Sequence, residues 1–268
     1  PYFMGEPVAK RGPPIITIPT IAGTGSEVTP ISVVTTKGVK LAINHHYLHP
    51  ALSIIDPVLS ITAPPSATAS AGIDALNHAV ESIMSLESNP LTASLAFEAI
   101  NLADEYLERA YANSDDLEAR NGLALASAIA GMAFSNTGLC MTHGIAYTYA
   151  VKCGLPHGTS VALAEPYVIE FNAPAIQGKL EVIAAGLGVG LEGLSTVEAG
   201  EAIALRYLEI MGTLGLPLSL EDLGLVDDDL EPLIDDFLKN QSRFMVRNPR
   251  HPSRKELLAL YQAMLEGY

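Results

Sequence analysis

The 268-residue chain carries 15 Lys and Arg against 30 Asp and Glu, a formal net charge of −15, with 49% hydrophobic residues. That is enough apolar material for one large folded domain or two smaller ones, and the negative field repels nucleic acid and anionic lipid, so neither is expected as a partner. No apolar run reaches the roughly 18 to 20 residues of a membrane span, the start shows no signal pattern, and Cys140 and Cys153, without a CxxC, read as reduced, buried thiols; the expectation is a soluble cytoplasmic protein.

From residue 14 to about 56 the runs PIITIPT, ISVVTT, LAIN and LSIID, broken by Gly, Pro and Asn, predict short strands joined by turns, a piece of an α/β layer. Within it, IPTIAGTGSEVT follows a strand but has no GK[ST] and lacks the third glycine of the dinucleotide fingerprint, so by itself it marks a close backbone approach or a tight turn. The cluster His45, His46 and His49 has ligand-like spacing, yet it sits in a polar connection without a nearby carboxylate and reads as exposed. After Pro64 and Pro65 helical periodicity takes over. Helices are expected near 66–85, 91–112, 115–135, 139–152, 159–170, 179–187, 195–214, 228–239 and 253–266. The acidic run DDDLEPLIDD reads as a helix start with a solvated face.

The polar residues inside the first helix need explaining. Ile73, Leu76, Val80 and Ile83 recur at three- and four-residue steps and mark its packing face. Asp74 and His78 lie beside that stripe one turn apart, where two side chains meet. A half-buried carboxylate there has no Lys or Arg within helical reach to offset its desolvation. Far along the chain, His143 opens an apolar helix and His157 sits in a Pro-His-Gly turn, each followed by a glycine. Taken singly, these histidines read as a core residue and a helix-capping residue. If the segments pack together, one carboxylate and three imidazoles make a set suited to Fe²⁺ or Zn²⁺ with positions left for water or substrate. On spacing alone the structural reading and the metal reading stand level.

The runs PIITIPTIAGTGSEVTP, DPVLSITAPPSATASAGIDALNHAVES and GLCMTHGIAYTYAVKCGLPHGTSVALAEPYVIEFN, in this order and spacing, resemble the iron-containing (group III) alcohol dehydrogenase family over residues 13 to 266. The resemblance implies a mainly α chain: an all-helical metal-binding domain over 61–268, preceded over 1–60 by a β-rich remnant of an α/β nucleotide-binding domain, a truncated form of the dehydroquinate synthase-like two-domain fold. It implies Asp74, His78, His143 and His157 as metal ligands, and Thr20, Thr24, Lys40 and Leu59 as positions contacting NAD or NADP. The implied reaction is reversible oxidation of a small alcohol to an aldehyde or ketone, by a protein that forms homodimers in this family.

Two departures qualify the resemblance. The family's GGGS-type pyrophosphate loop has no counterpart ahead of PYFMGEP, so the expectation is a truncated chain that alone binds nicotinamide poorly and is inactive. Where many members carry a further histidine four residues after the third ligand, this chain has Tyr147, a poorer proton relay at neutral pH that is read either as a substrate-side hydrogen bonder or as a packing aromatic. Tyrosine there also occurs in the hydroxyacid-oxoacid transhydrogenase branch, which is kept as an alternative activity beside other metal- and NAD-dependent enzymes of the scaffold. A catalytically incompetent helical fragment is the non-enzyme alternative.

Overall fold

The computed structural model describes residue 8, residues 10–36 and residues 39–268, with backbone alone at 35, 36 and 39–41. Among the described residues the N-terminal part holds four short strands: β1 (Ile16–Thr17), β2 (Ile31–Thr36), β3 (Val39–Asn44) and β4 (Leu52–Ser53). β1 pairs with β4 in parallel, Ile16 opposite Leu52, and β2 with β3 as an antiparallel hairpin in which Ile31 faces Asn44. These are two separate two-stranded sheets. The sequence expectation of short strands broken by turns matches this part of the chain.

Nine α-helices follow among the described residues: α1 (Pro65–Met84), α2 (Pro90–Ala112), α3 (Leu117–Thr137), α4 (Met141–Cys153), α5 (His157–Asn172), α6 (Gln177–Gly186), α7 (Thr196–Thr213), α8 (Asp227–Asp236) and α9 (Arg254–Glu266). The fold is mainly α, as expected, and each predicted helix is present. Their starts are written locally. The Asn89 side chain accepts from the Leu91 and Thr92 N–H groups ahead of α2, and Ser195–Glu198 and Ser253–Glu256 form capping boxes on α7 and α9. Asp116 caps α3 by accepting from Ala119 N at 3.0 Å.

α1 lies at the centre. From Thr68 to Met84 every residue except Ala71 is buried, so the helix is enclosed on all sides rather than amphipathic. It packs against α2, α3 and α5, and α5 in turn against α4 and α7. One glycine sets the closest of these approaches: a Cβ at Gly158, in the first turn of α5, would fall 1.8 Å from the Ser70 carbonyl oxygen and 2.8 Å from Asp74 Cβ. Only a residue without a side chain lets α5 start against the face of α1 that carries Asp74. Beyond α8 the chain makes one π-helical stretch (Phe237–Gln241) and a 3₁₀ stretch (Ser242–Arg247) that lie on α4.

The expectation of a partly wet flank for Asp74 and His78 is corrected: they are only 2% and 4% exposed, because α4, α5 and the N-terminal loop close over α1. His157 is likewise not in a turn but is the first residue of α5, behind Pro156. Among the described residues no single helix is long and apolar enough to cross a membrane. Both cysteines are free; Cys140 is buried, while Cys153 is only half-buried.

Candidate metal centre

Helical spacing on α1 places Asp74 and His78 one turn apart, with His78 Nε2 3.8 Å from Asp74 Oδ1. His143 comes from the first turn of α4 and His157 from the start of α5, two helices joined by a short bend at Gly154 with φ +64°. The bend folds α5 back so that His157 Nε2 lies 3.9 Å from Asp74 Oδ1. The imidazoles of His78 and His143 stack with centroids 5.1 Å apart, and His157 meets His143 edge-on at 5.3 Å. One donor atom each from Asp74, His78 and His143 lies within 4.8 Å of the others. The structure therefore brings together all four residues singled out from the sequence.

The donor set fits a divalent ion. Ligand bonds of roughly 2.0 to 2.2 Å put donors about 3 to 4 Å from one another, so donors within 4.8 Å lie about an ångström or less from closing on an ion. His143 Nε2 is buried with no hydrogen-bond partner, an orphan that a cation would satisfy. Burial drives His143 down to about 3, and burial, then repulsion from His143 and His157, holds His78 well below the usual imidazole range. Both are neutral near pH 7, the form that binds metal. The Gly23 backbone is a hydrogen-bonding neighbour of His78.

Behind the donors lie two carboxyls that inspection of the sequence passed over. Glu81 and Glu165 are both 0% exposed. Glu81 accepts from the Cys140 backbone N–H and meets His143 Nδ1 at 2.5 Å. Burial pushes both carboxyls up, and the backbone N–H groups of Cys140 and His143 pull Glu81 back. Glu165 faces the charge of Glu81, which pushes it up further, and the Thr142 hydroxyl pulls it back. The available signal was spacing: Glu81 lies three residues after His78, inside a run of core residues where a carboxyl needs a partner.

The four donors end a cavity of about 430 Å³, whose other walls include Tyr147, Phe134, Leu139, Ile31 and Thr24. Phe134 stacks on His78 with centroids 4.3 Å apart. Tyr147, one turn after His143, has its ring 5.6 Å from those of both His157 and Phe244. Burial, reinforced by the Asp74 charge, pushes its phenol up to about 12, so it stays protonated and able to donate.

The positions expected to contact a dinucleotide are only partly gathered here. Thr24 lines the cavity, whereas Thr20 and Leu59 are exposed and not among its described walls. The backbone of Lys40 lies in β3, and its side chain falls outside the described residues. The loop bearing Thr24 makes a close backbone approach: Gly25, at φ +59°, sits against Gly131 of α3. His45, His46 and His49 stay apart from the cavity; His45 and His46 stack on each other at 4.4 Å, and His45 Nδ1 accepts from Tyr47 N.

Comparison with known proteins agrees with this arrangement. The family profile for "Fe-containing alcohol dehydrogenase family, C-terminal" matches residues 68–265, and that for "Iron-containing alcohol dehydrogenase" matches residues 2–57. The chain is 36% identical over 258 residues to long-chain-alcohol dehydrogenase 1 of Geobacillus thermodenitrificans, covering 96% of this chain and 65% of that protein. It is 38% identical over 260 residues to 1,3-propanediol dehydrogenase of Klebsiella pneumoniae, covering 96% and 66%. The crystal structure of a 1,3-propanediol oxidoreductase superposes with a TM-score of 0.90 at 35% identity, over 96% of this chain and 68% of the other. A mainly helical fold with an Asp-His-His-His cluster, three of its members buried, at a cavity end defines the class, and the chain belongs to the iron-containing alcohol dehydrogenase family. It spans about two thirds of the length of these relatives.

Proposed function

We propose that the protein carrying this chain is an NAD(P)-linked alcohol dehydrogenase in which Asp74, His78, His143 and His157 hold a divalent ion, Fe²⁺ or Zn²⁺. The observation that carries the reading is the convergence of three donors within 4.8 Å, with His157 Nε2 3.9 Å from Asp74, at the end of one cavity. A bound ion there supplies Lewis acidity that lowers the pKa of an alcohol oxygen, and a nicotinamide supplies the hydride acceptor.

The chain's own residues do the rest. Asp74 and the three imidazoles would fix the ion's place from three helices whose mutual packing is buried. Tyr147 keeps its proton and donates a hydrogen bond into the cavity, orienting a substrate oxygen. Phe134, Leu139 and Ile31 exclude water from one wall and favour an apolar carbon chain beside the oxygen. The names of the relatives, which include a long-chain alcohol and a 1,3-diol, support an alcohol or its aldehyde as substrate without fixing the chain length. The two profile matches support a division close to residue 60, with Thr20, Thr24, Lys40 and Leu59 reaching the cofactor from the first part. A homodimer in the cytoplasm belongs to the same reading.

The test has two arms. Elemental analysis of the purified chain should find about one divalent ion per molecule, lost in His143→Ala. The product of the full reading frame should oxidise NADH or NADPH with short aldehydes. Metal-free protein with unaltered stability in His143→Ala would remove the ligand set, and absence of nicotinamide turnover in metal-loaded protein would remove the activity.

A further inference from the structure

We propose that Glu81 is the positioning residue for the metal-ligating face of His143, fixing the imidazole with its proton on Nδ1 and its lone pair on Nε2. The inference rests on the ligand reading above and extends it to a residue that touches no ligand position itself.

The geometry is specific. Glu81 lies on α1, seven residues after Asp74 and three after His78, so the helix that carries two donors also carries the support for a third. Its carboxyl is 0% exposed and is held from two directions. One oxygen accepts the N–H of Cys140, the residue that caps α4, and the other meets His143 Nδ1 at 2.5 Å. The first contact docks the start of α4 onto α1 and offsets orphan donors at a helix N-terminus. The second sets the tautomer, because a carboxylate oxygen already oriented by one donor presents a lone pair to the ring. With the proton on Nδ1, the opposite nitrogen is an acceptor, and that nitrogen, Nε2, is buried at the donor cluster with no hydrogen-bond partner among the described residues.

Glu165 makes the arrangement asymmetric. It is fully buried beside Glu81, and the Thr142 hydroxyl adjoins both. Glu81 meets Cys140 N–H and His143 Nδ1, whereas neither oxygen of Glu165 has a hydrogen-bond partner among the described residues. Of the two carboxyls it is therefore Glu81, not Glu165, that is placed to orient His143. A glutamine at 81 breaks this logic: one amide oxygen cannot accept from both donors, and turning its NH₂ toward the ring forces the proton to Nε2, where it blocks metal. A glutamine at 165 keeps the side chain's shape and leaves the ring alone.

Two measurements decide it. Long-range ¹H–¹⁵N NMR of the metal-free chain should show His143 as the Nδ1–H tautomer, and competition titration with Zn²⁺ should show affinity reduced about 10- to 100-fold in Glu81→Gln and within a few-fold of the parent in Glu165→Gln. A parent His143 with its proton on Nε2, or a Glu81→Gln chain with parental Zn²⁺ affinity, would overturn the proposal. His143→Ala in the same titration separates the two levels: parental affinity there would mean that the ligand set is wrong, whereas a loss there with no effect of Glu81→Gln would leave the ligands and remove only the positioning role. Should Glu81→Gln fail to fold, the tautomer in the parent chain decides alone.

Discussion

The backbone N–H of Gly23 donates to Ser127 Oγ at 2.7 Å, tying the N-terminal glycine loop to the middle of α3 across 104 positions of sequence. The same hydroxyl accepts from Gly25 N at 3.2 Å. One buried side chain thus satisfies two loop amides and sets the height at which Thr24 enters the cavity and Gly23 meets His78.

Replacing Ser127 with alanine leaves both amides without that acceptor in a buried place. A cost of about 1 to 3 kcal/mol is expected, read by denaturant unfolding, with faster amide exchange confined to residues 23–28. Unfolding and exchange identical to the parent would show that the hydroxyl does not hold the loop.

Gly158 and Gly178 are both helical glycines with opposite expected responses. An alanine at 158 must displace the Ser70 carbonyl or Asp74, since its Cβ would lie 1.8 Å and 2.8 Å from them. The loss should be about 1 to 3 kcal/mol, accompanied by weaker Zn²⁺ retention as α5 moves off α1. At Gly178, exposed in the first turn of α6, nothing lies within 4 Å, and alanine should stabilise by about 0.4 to 1 kcal/mol. A thermal melt of each variant checks both signs.

The two histidines outside α1 should separate in their effect on the metal-free chain. The His157 side chain is 31% exposed, so His157→Ala should cost the metal-free protein less than about 1 kcal/mol. His143 is fully buried on Glu81, and its loss should cost several times more. Saturating Zn²⁺ at about 100 times the dissociation constant should raise the parent's stability by about 2.7 kcal/mol, and both variants should lose most of that gain. A full gain in His157→Ala would place His157 outside the donor set.

Glu27 supplies a pH-dependent test away from the donors. It is buried, and that burial raises its carboxyl above the usual range despite an opposing backbone contact. A carboxyl raised on folding binds its proton more tightly in the native chain, so its contribution is complete below the unfolded value of 4.5 and is lost as pH rises through the folded one. Glu27→Gln should therefore be more stable than the parent at pH 8, with the gap closing as pH falls toward 4.5. A gap that widens on acidification would mean that the carboxylate, not the acid, is the favoured form.

The helices were legible because their information is local. Asn89-Pro90, Ser195 with Glu198 and Ser253 with Glu256 cap their own first turns, and the apolar period on α1 reaches no further than one turn for each step. The pairing of Asp74 with His78 is legible for the same reason, since four residues always return to one face of a helix. Spacing alone left His143 and His157 open, because their distance from Asp74 depends on how α4 and α5 cross α1, and only the likeness to a known family brought them in. Residue 81 shows the limit more sharply. Its neighbours mark it as core, and a lone carboxyl among core residues has no reading until Cys140 N–H and the His143 ring arrive from 59 and 62 positions away to meet it. Local backbone geometry determined the elements and one pair of side chains; which helix faces meet, and so which buried charges find partners, was decided by packing that only the folded chain contains.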